Sequence, residues 1–249
     1  MTNDMLIPSL ELVSGPRELD TELLASSVES SWTVDPDATP AENVIEFAGR
    51  ICYMSFGERQ SPRTNSQYIR NLIEQGHESV LEHACWTILA SNVTRAFTHQ
   101  FVRHRIGFSY SQLSQQYVDQ VDIPYLPTGS LDSPELEAEL EQLLGRLRGV
   151  YRNLILSSEA KGKEQNRRIM SLARNLLPNG IATRIVFTLN ARSARGFLKK
   201  RGAIEGDVEM RLFSSALLEL LKQECPSAFY DFVIEEHTDG GPIVLQRSP

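Results

Sequence analysis

The sequence is short of the features that mark several classes of protein. Its 249 residues include two tryptophans and three cysteines. No apolar run approaches the roughly 20 residues that cross a bilayer, and the first residues lack the basic start and apolar stretch of a signal peptide. We therefore expect a cytoplasmic protein with no membrane partner. We also expect Cys52, Cys85 and Cys225, which match no CxxC or metal-type spacing, to be buried free thiols in a reducing compartment.

Positive net charge is missing as well. The chain has 25 lysines and arginines against 32 acidic residues, which gives a formal charge of −7. A protein that follows duplex nucleic acid usually carries net positive charge or a long basic face. Here the basic residues gather locally in an acidic background, which favours a small anionic ligand and disfavours RNA binding. We therefore predict no nucleic-acid partner.

Familiar metal and nucleotide motifs are also absent. The sequence has no G-x-G-x-x-G and no P-loop, so any nucleotide must be bound in another way. His77, His83, His99 and His104 lie in one short span, but their spacing matches no zinc motif. We predict no metal site, and we interpret His83 as a structural histidine. Ser114 lacks the elbow motif of a serine nucleophile, so a hydroxyl that binds ligand is the better interpretation.

The most polar stretch of the chain begins with helical spacing. Phe97 and Phe101 fall on one face, while Arg95, His99 and Arg103 fall at i, i+4 and i+8 on another. Like charges at that spacing repel each other, so an isolated helix would not favour them.

The same stretch continues with Arg-His-Arg at 103–105, and the helical pattern ends at Gly107. Ser109 to Tyr117 then hold three serines, three glutamines and two tyrosines. Such a density of donors suggests an anionic or heteroaromatic ligand. A solvated basic helix end, whose cations offset the helix dipole, explains the cations equally well. The spacing alone does not decide between the two interpretations.

Periodicity predicts many helices and few strands. Thr39-Pro40-Ala41-Glu42 is a capping box with proline at the first helical position. Helices are predicted at 40–53, around 68–73, at 134–157, 163–176 and 190–200, and around 210–221, with strands at 10–13, 84–93 and 181–189. The elements are grouped rather than alternating, so the class is α+β. We expect one domain over residues 1–249, with helices around a small, mainly antiparallel sheet. Residues 1–38 and 238–249 should be peripheral, and the tail past Thr238 should be frayed.

The Arg-His-Arg run, followed after eight residues by Ser114, resembles the signature of the flavin-dependent thymidylate synthases. Other stretches resemble landmarks of that family in the same order: FAGRICY at 47–53, GHESVLEH at 76–83, LP at 177–178, TRIVFTLNARS at 183–193 and KKR ending at Arg201. The resemblance covers the chain from about Asn43 to Phe232.

The resemblance implies an enzyme with that family's α+β fold, assembled as a homotetramer with active sites between subunits. It implies FAD as cofactor and NADPH as the reductant of the flavin. Methylenetetrahydrofolate would donate a carbon to dUMP, and dTMP and tetrahydrofolate would leave. The family uses no cysteine nucleophile, so we expect all three cysteines to be dispensable for the chemistry.

The resemblance also implies a set of site residues. Those expected at the flavin are His77, Ser79, Arg103, His104, Arg105, Gln112, Asn190 and Arg192. Those expected at dUMP are Gln100, Arg103, Gln112, Leu113, Ser114, Gln115, Gln116, Arg174 and Arg201. Arg201 matches the arginine that polarises the uracil ring, so it is the expected catalytic residue.

Three positions depart from the family pattern. Gln116 stands where an arginine is usual, Gly196 where a flavin-contacting asparagine is common, and Glu205 where a histidine is usual. These departures leave open an alternative, in which the chain is a catalytically impaired homologue that still binds flavin or nucleotide.

Overall fold

A computed structural model of the chain describes residues 7–126, 133–157, 162–238 and 240–247. The chain divides into two compact units. Of the described residues, the first unit holds 7–8, Ala90–Arg103, 111–126, 133–157 and 162–185. The second holds Ser9–Leu89, His104–Tyr110, 186–238 and 240–247.

Four strands form the larger sheet, in the order β1, β2, β4, β3. They are β1 (Ser9–Ser14), β2 (Cys85–Thr94), β3 (Phe108–Gln112) and β4 (Ala182–Asn190). A second sheet is the antiparallel hairpin of β5 (Phe232–Glu236) and β6 (Pro242–Gln246), in which Ile234 pairs with Val244. The chain is therefore α+β with a small antiparallel sheet, which confirms the predicted class.

The helices of the second unit begin at clear capping signals. They are α1 (Thr21–Ser27), α2 (Pro40–Ile51), α3 (Asn65–Glu74), α7 (Ala191–Arg201) and α8 (Val208–Glu224). The predicted capping box at Thr39 is present, because the Thr39 hydroxyl accepts from the Glu42 amide while the Glu42 carboxylate accepts from the Thr39 amide. Thr64 and Gln67 form the same arrangement at the start of α3.

The first unit holds α4 (Arg95–Phe101), α5 (Pro134–Leu156) and α6 (Lys163–Ala173), followed by a 3₁₀ turn at Arg174–Leu176. The predictions of helices at 134–157 and 163–176 are therefore confirmed. A small core of Tyr151, Ile155, Met170 and Ala173 holds α5 against α6.

An aromatic group fills much of the second unit's core. The rings of Phe187, Phe197 and Phe213 are all buried, and Phe213 lies 5.8 Å from Phe187 and 6.0 Å from Phe197 between ring centres. Burying one such side chain contributes about 1.5–3 kcal/mol. The core therefore fixes α7, whose C-terminal residue is Arg201, against α8.

Three elements depart from the sequence-based expectations. The tail was expected to be frayed past Thr238, and this is wrong for Pro242–Gln246, which pair with β5. The prediction also missed β3 and the short α1, whose segments are rich in serine and other polar residues. Among the described residues, no helix is long and apolar enough to span a membrane.

Candidate functional site

Two ion pairs tie the GHES segment to α7 in the second unit. Glu78 and Glu82 lie in a 3₁₀ turn at Glu78–His83. Arg192 Nη1 lies 2.5 Å from Glu82 Oε1, and Arg195 Nε lies 3.7 Å from Glu78 Oε1. His77 and Ser79, two expected flavin contacts, are exposed in this tethered segment.

Asn190 begins α7 and is partly used by the fold itself. Its Oδ1 accepts from the Ser193 amide at 2.8 Å, as the sequence-predicted cap requires. The cap occupies the oxygen, so the side-chain amide nitrogen is the atom that Asn190 can offer to a ligand.

Gly107 allows the loop after the Arg-His-Arg run to lie against the start of α7. Its φ is +70°, a conformation that glycine adopts readily. A Cβ at this position would lie 1.9 Å from Ser193 Oγ and 2.8 Å from Asn190 Nδ2. Any side chain would therefore push the loop away from the helix end that carries Asn190.

His104 and Arg201, 97 positions apart in sequence, meet in the second unit. Arg201 Nε donates to His104 Nε2 at 3.1 Å. The His104 ring packs edge-on against Phe197 at 5.0 Å, and the Tyr110 hydroxyl donates to the His104 carbonyl at 2.7 Å. The geometry requires a neutral imidazole that accepts a hydrogen bond.

The electrostatics of His104 agree with that requirement. Burial, and then the positive charges of Arg201 and Lys200, hold the pKa of His104 below its usual 6.5. Burial also raises the pKa of the Tyr110 phenol well above its usual range, so this group remains a donor. The pair therefore fixes Nε of Arg201 and leaves both of its Nη groups available.

The donor chemistry of the second unit fits a flavin. Arg105 is exposed and makes no ion pair with any carboxylate in the described part of the chain. His77, Ser79 and the amide of Asn190 add hydrogen-bonding groups at residues 76–83 and at the start of α7. An arginine without an acidic partner, together with such hydrogen-bonding groups, suits a diphosphate and a heteroaromatic ring.

In the first unit, hydrogen bonds hold the 112–116 segment against α4. Arg95 Nη1 donates to the Leu113 carbonyl at 3.3 Å, and Gln112 Nε2 donates to Thr98 Oγ1 at 2.8 Å. The Ser114 hydroxyl accepts from the Gln116 amide at 3.2 Å, which makes a local turn. This segment holds five of the residues expected at dUMP: Gln112, Leu113, Ser114, Gln115 and Gln116.

Arg95 is a candidate that the sequence-based reasoning missed. Burial, and then the charge of Arg174, lower the pKa of Arg95, so the two guanidinium groups are close enough to repel each other. Neither forms an ion pair with a described carboxylate. Two neighbouring cations without a described acidic partner are the kind of group that an anionic ligand prefers. The only sequence signal for Arg95 was its predicted position on one helical face with His99 and Arg103.

The remaining candidates of the first unit are placed as follows. Gln100 and Arg103 are exposed. α4 ends at Phe101, so Arg103 lies beyond the helix and not on the helical face that was predicted to carry Arg95, His99 and Arg103. Phe97 and Phe101 do share a buried face, with ring centres 5.3 Å apart.

The structure also bears on the predictions for the three cysteines, for His83 and for metal binding. Cys52 and Cys85 are exposed and only Cys225 is buried, so the expectation of three buried thiols is wrong for two of them. His83 is exposed rather than packed as a structural histidine. Within the described ranges, no group of three or more histidine, cysteine, aspartate or glutamate side chains could hold a metal ion.

Comparison with known proteins bears on this arrangement. The sequence pattern of the family described as "Thymidylate synthase complementing protein" matches residues 36–227. The chain belongs to this family. The matched range contains every expected site residue, from His77 to Arg201, whereas β5 and β6 lie beyond it.

Individual family members are similar over most of their length. A protein of Corynebacterium efficiens is 40% identical over 240 residues, which is 90% of this chain and 94% of the relative. Proteins of Mycobacterium avium and Mycobacterium tuberculosis are 39% identical over 221 residues, which is 85% of this chain and 87% of each relative. All three are named flavin-dependent thymidylate synthase.

Proposed function

We propose that the chain is a flavin-dependent thymidylate synthase. It would transfer the methylene carbon of methylenetetrahydrofolate to dUMP, with FAD reduced by NADPH, to give dTMP and tetrahydrofolate. The observation that carries the proposal is the Arg201–His104 hydrogen bond. It fixes the orientation of a guanidinium group that lies within the residues matched by the family pattern. The names of the relatives support the same reaction.

Arg201 is proposed to stabilise negative charge on the uracil ring. Carbon transfer to C5 of uracil develops enolate-like charge, and a fixed guanidinium stabilises that charge without reorganising. Nε of Arg201 is occupied by His104, so the two Nη groups form the edge that would face the ring.

The phosphate of dUMP is proposed to bind at Arg95 and Arg174, together with the 112–116 segment. A dianionic phosphate prefers several guanidinium or amide donors, and the mutual repulsion of these two cations would be relieved by it. Gln116 contributes no charge where the family usually has arginine, so Arg95 gains importance in this chain.

FAD is proposed to bind at His77, Ser79, Arg105, Asn190 and Arg192. When bound, FAD supplies the reducing equivalents that NADPH delivers. The chain's own part is to fix these donors. The ion pairs of Glu78 and Glu82 hold residues 76–83, and Gly107 lets the loop that follows Arg105 lie against the start of α7.

Purified protein tests the proposal in two steps. Yellow protein with a flavin spectrum is expected, and colourless protein that takes up no FAD would contradict it. Formation of dTMP from dUMP, methylenetetrahydrofolate and NADPH should follow. Flavin binding without dTMP formation would instead favour the impaired homologue suggested by Gln116, Gly196 and Glu205.

Neutralising either phosphate cation should weaken dUMP binding. Arg95→Gln and Arg174→Gln are each expected to raise the Kd for dUMP by about 10- to 100-fold, because a hydrogen bond to a charged group contributes roughly 1.5–3 kcal/mol. Isothermal titration calorimetry would measure this, with exposed Arg146→Gln in α5 as the matched control. Deoxyuridine, which lacks the phosphate, should bind the variants and the unmodified chain equally. Equal losses for both ligands would place the arginines away from the phosphate.

The remaining expectations belong to the same proposal. We propose a single functional domain, a homotetramer with active sites between subunits, and a cytoplasmic location. Light scattering during size-exclusion chromatography would measure the mass of the oligomer and so test the tetramer directly.

A further inference from the structure

The C-terminal hairpin of β5 and β6 is attached to the end of α7. The Val244 amide donates to the Gly202 carbonyl at 2.8 Å, and Gly202 directly follows Arg201. The hairpin lies beyond the range matched by the family pattern. A strand outside that range therefore contacts the residue next to the expected catalytic arginine.

The approach of β6 to Gly202 is very close. A Cβ on Gly202 would lie 2.6 Å from Val244 Cβ and 2.7 Å from the Val244 carbonyl oxygen. Gly202 has an ordinary helical backbone, with φ of −62°, so glycine is needed here for space and not for its backbone freedom.

A second attachment lies on α7, seven residues before Gly202. Arg195 donates through both Nη groups to Asp231, at 2.7 and 2.8 Å, and Gln246 of β6 donates to the same carboxylate at 2.7 Å. The side chains of Arg195 and Asp231 are 4% and 1% exposed. The hairpin and Asp231, which directly precedes it, thus contact α7 at its middle and at the residue that follows its C-terminal end.

We propose that the hairpin positions Arg201, and that the Val244–Gly202 hydrogen bond is the contact that does so. Fixing the main chain at Gly202 keeps the Arg201 side chain in reach of His104, so that its Nη edge stays aimed at the substrate. The inference rests on the role proposed for Arg201. A displacement of about 1 Å at a reacting group can cost about 10²-fold in rate.

A matched pair of variants at Val244 tests the inference in the full-length protein. Val244 gives its amide hydrogen to Gly202, so proline at this position removes that bond while the ladder with β5 keeps its own donors. Val244→Ala removes the buried side chain and keeps the amide. Both variants should lose thermal stability, but only Val244→Pro should lose kcat, by about tenfold or more, with KM for dUMP nearly unchanged.

A second readout does not depend on turnover. In flavin-free protein, histidine NMR should show the pKa of His104 rising towards 6.5 in Val244→Pro, because one cation that lowers it has moved away. Burial and Lys200 remain, so the rise should be partial. Val244→Ala should leave the titration as it is. Equal kcat and equal His104 titration in the two variants would overturn the inference and leave the hairpin a purely structural role.

Two further variants, Gly202→Ala and Arg201→Lys, test the inference alongside Val244→Pro. If Val244→Pro does not fold, Gly202→Ala replaces it, with Gly145→Ala as control, because a Cβ at Gly145 meets no atom within 4 Å. The same loss of kcat is expected for Gly202→Ala alone. Normal turnover in Arg201→Lys would overturn the role of Arg201 and the inference together. A loss in Arg201→Lys with normal Val244→Pro would overturn the inference alone.

Discussion

Arg201→Lys is expected to lower kcat by about 10²–10³, or roughly 2.7–4 kcal/mol of transition-state stabilisation. The reason is geometric, because both side chains are positively charged at neutral pH. The guanidinium donates to His104 through Nε and still presents two Nη groups. A lysine ammonium is a point donor that cannot do both. Binding of dUMP should change less than turnover, since the lost interaction strengthens only as charge develops on the ring.

The measurement is steady-state turnover together with dUMP affinity, with FAD occupancy checked in each sample. Arg59→Lys, at an exposed arginine of the same unit, is the control and should be silent. If Arg201 were an ordinary surface arginine, its variant would behave like Arg59→Lys. Near-normal turnover of Arg201→Lys would remove Arg201 from the catalytic residues.

Local sequence signals were sufficient for most of the helices. Thr39 and Glu42 cap α2 as their spacing predicts, because the capping box involves only residues three positions apart. The long α5 and α8 also follow directly from their apolar periodicity. Such signals work because the interactions they describe lie within one or two turns of the chain.

The elements that were missed depend on distant partners. The sequence of β3 is largely polar, so its local pattern does not predict a strand. The backbone amide of Leu113, just after β3, donates to the carbonyl of Arg184, 71 positions later. β6 reads as a frayed tail because glycine and proline surround it, yet it pairs with β5 and bonds to Gly202. No local pattern contains those partners.

The candidate site shows the same division. Resemblance named Arg201 and His104 separately, but only the folded chain shows that one accepts a hydrogen bond from the other. Arg95 carried no signal beyond its charge, because its significance is its nearness to Arg174, 79 positions away. Residue types were predictable, whereas the contacts that tune them were not.

The largest stability effect is expected for Asp231→Asn. The substitution leaves the buried Arg195 guanidinium with only the partly exposed Glu78 carboxylate, 3.7 Å from its Nε, as a counter-charge. Breaking a buried pair by removing one partner costs about 3–5 kcal/mol. Glu235→Gln in β5 is the matched control, because its pair with Arg247 has side chains 40% and 68% exposed. That exposed pair should contribute at most about 1 kcal/mol. Urea unfolding at one fixed protein concentration would measure both.

The pH dependence of the difference in unfolding free energy between Asp231→Asn and the unmodified chain identifies the cause of that difference. Burial alone would raise the pKa of Asp231, but hydrogen bonds from Arg195 and Gln246 outweigh it and hold the pKa below its usual 3.8. A carboxylate with a lowered pKa stabilises the fold fully above its unfolded pKa and loses that contribution as pH falls through the folded value. The gap between Asp231→Asn and the unmodified chain should therefore be full at neutral pH and shrink below pH 3.8. A gap that stays constant in acid would mean that lost packing, and not the ion pair, destabilises the variant.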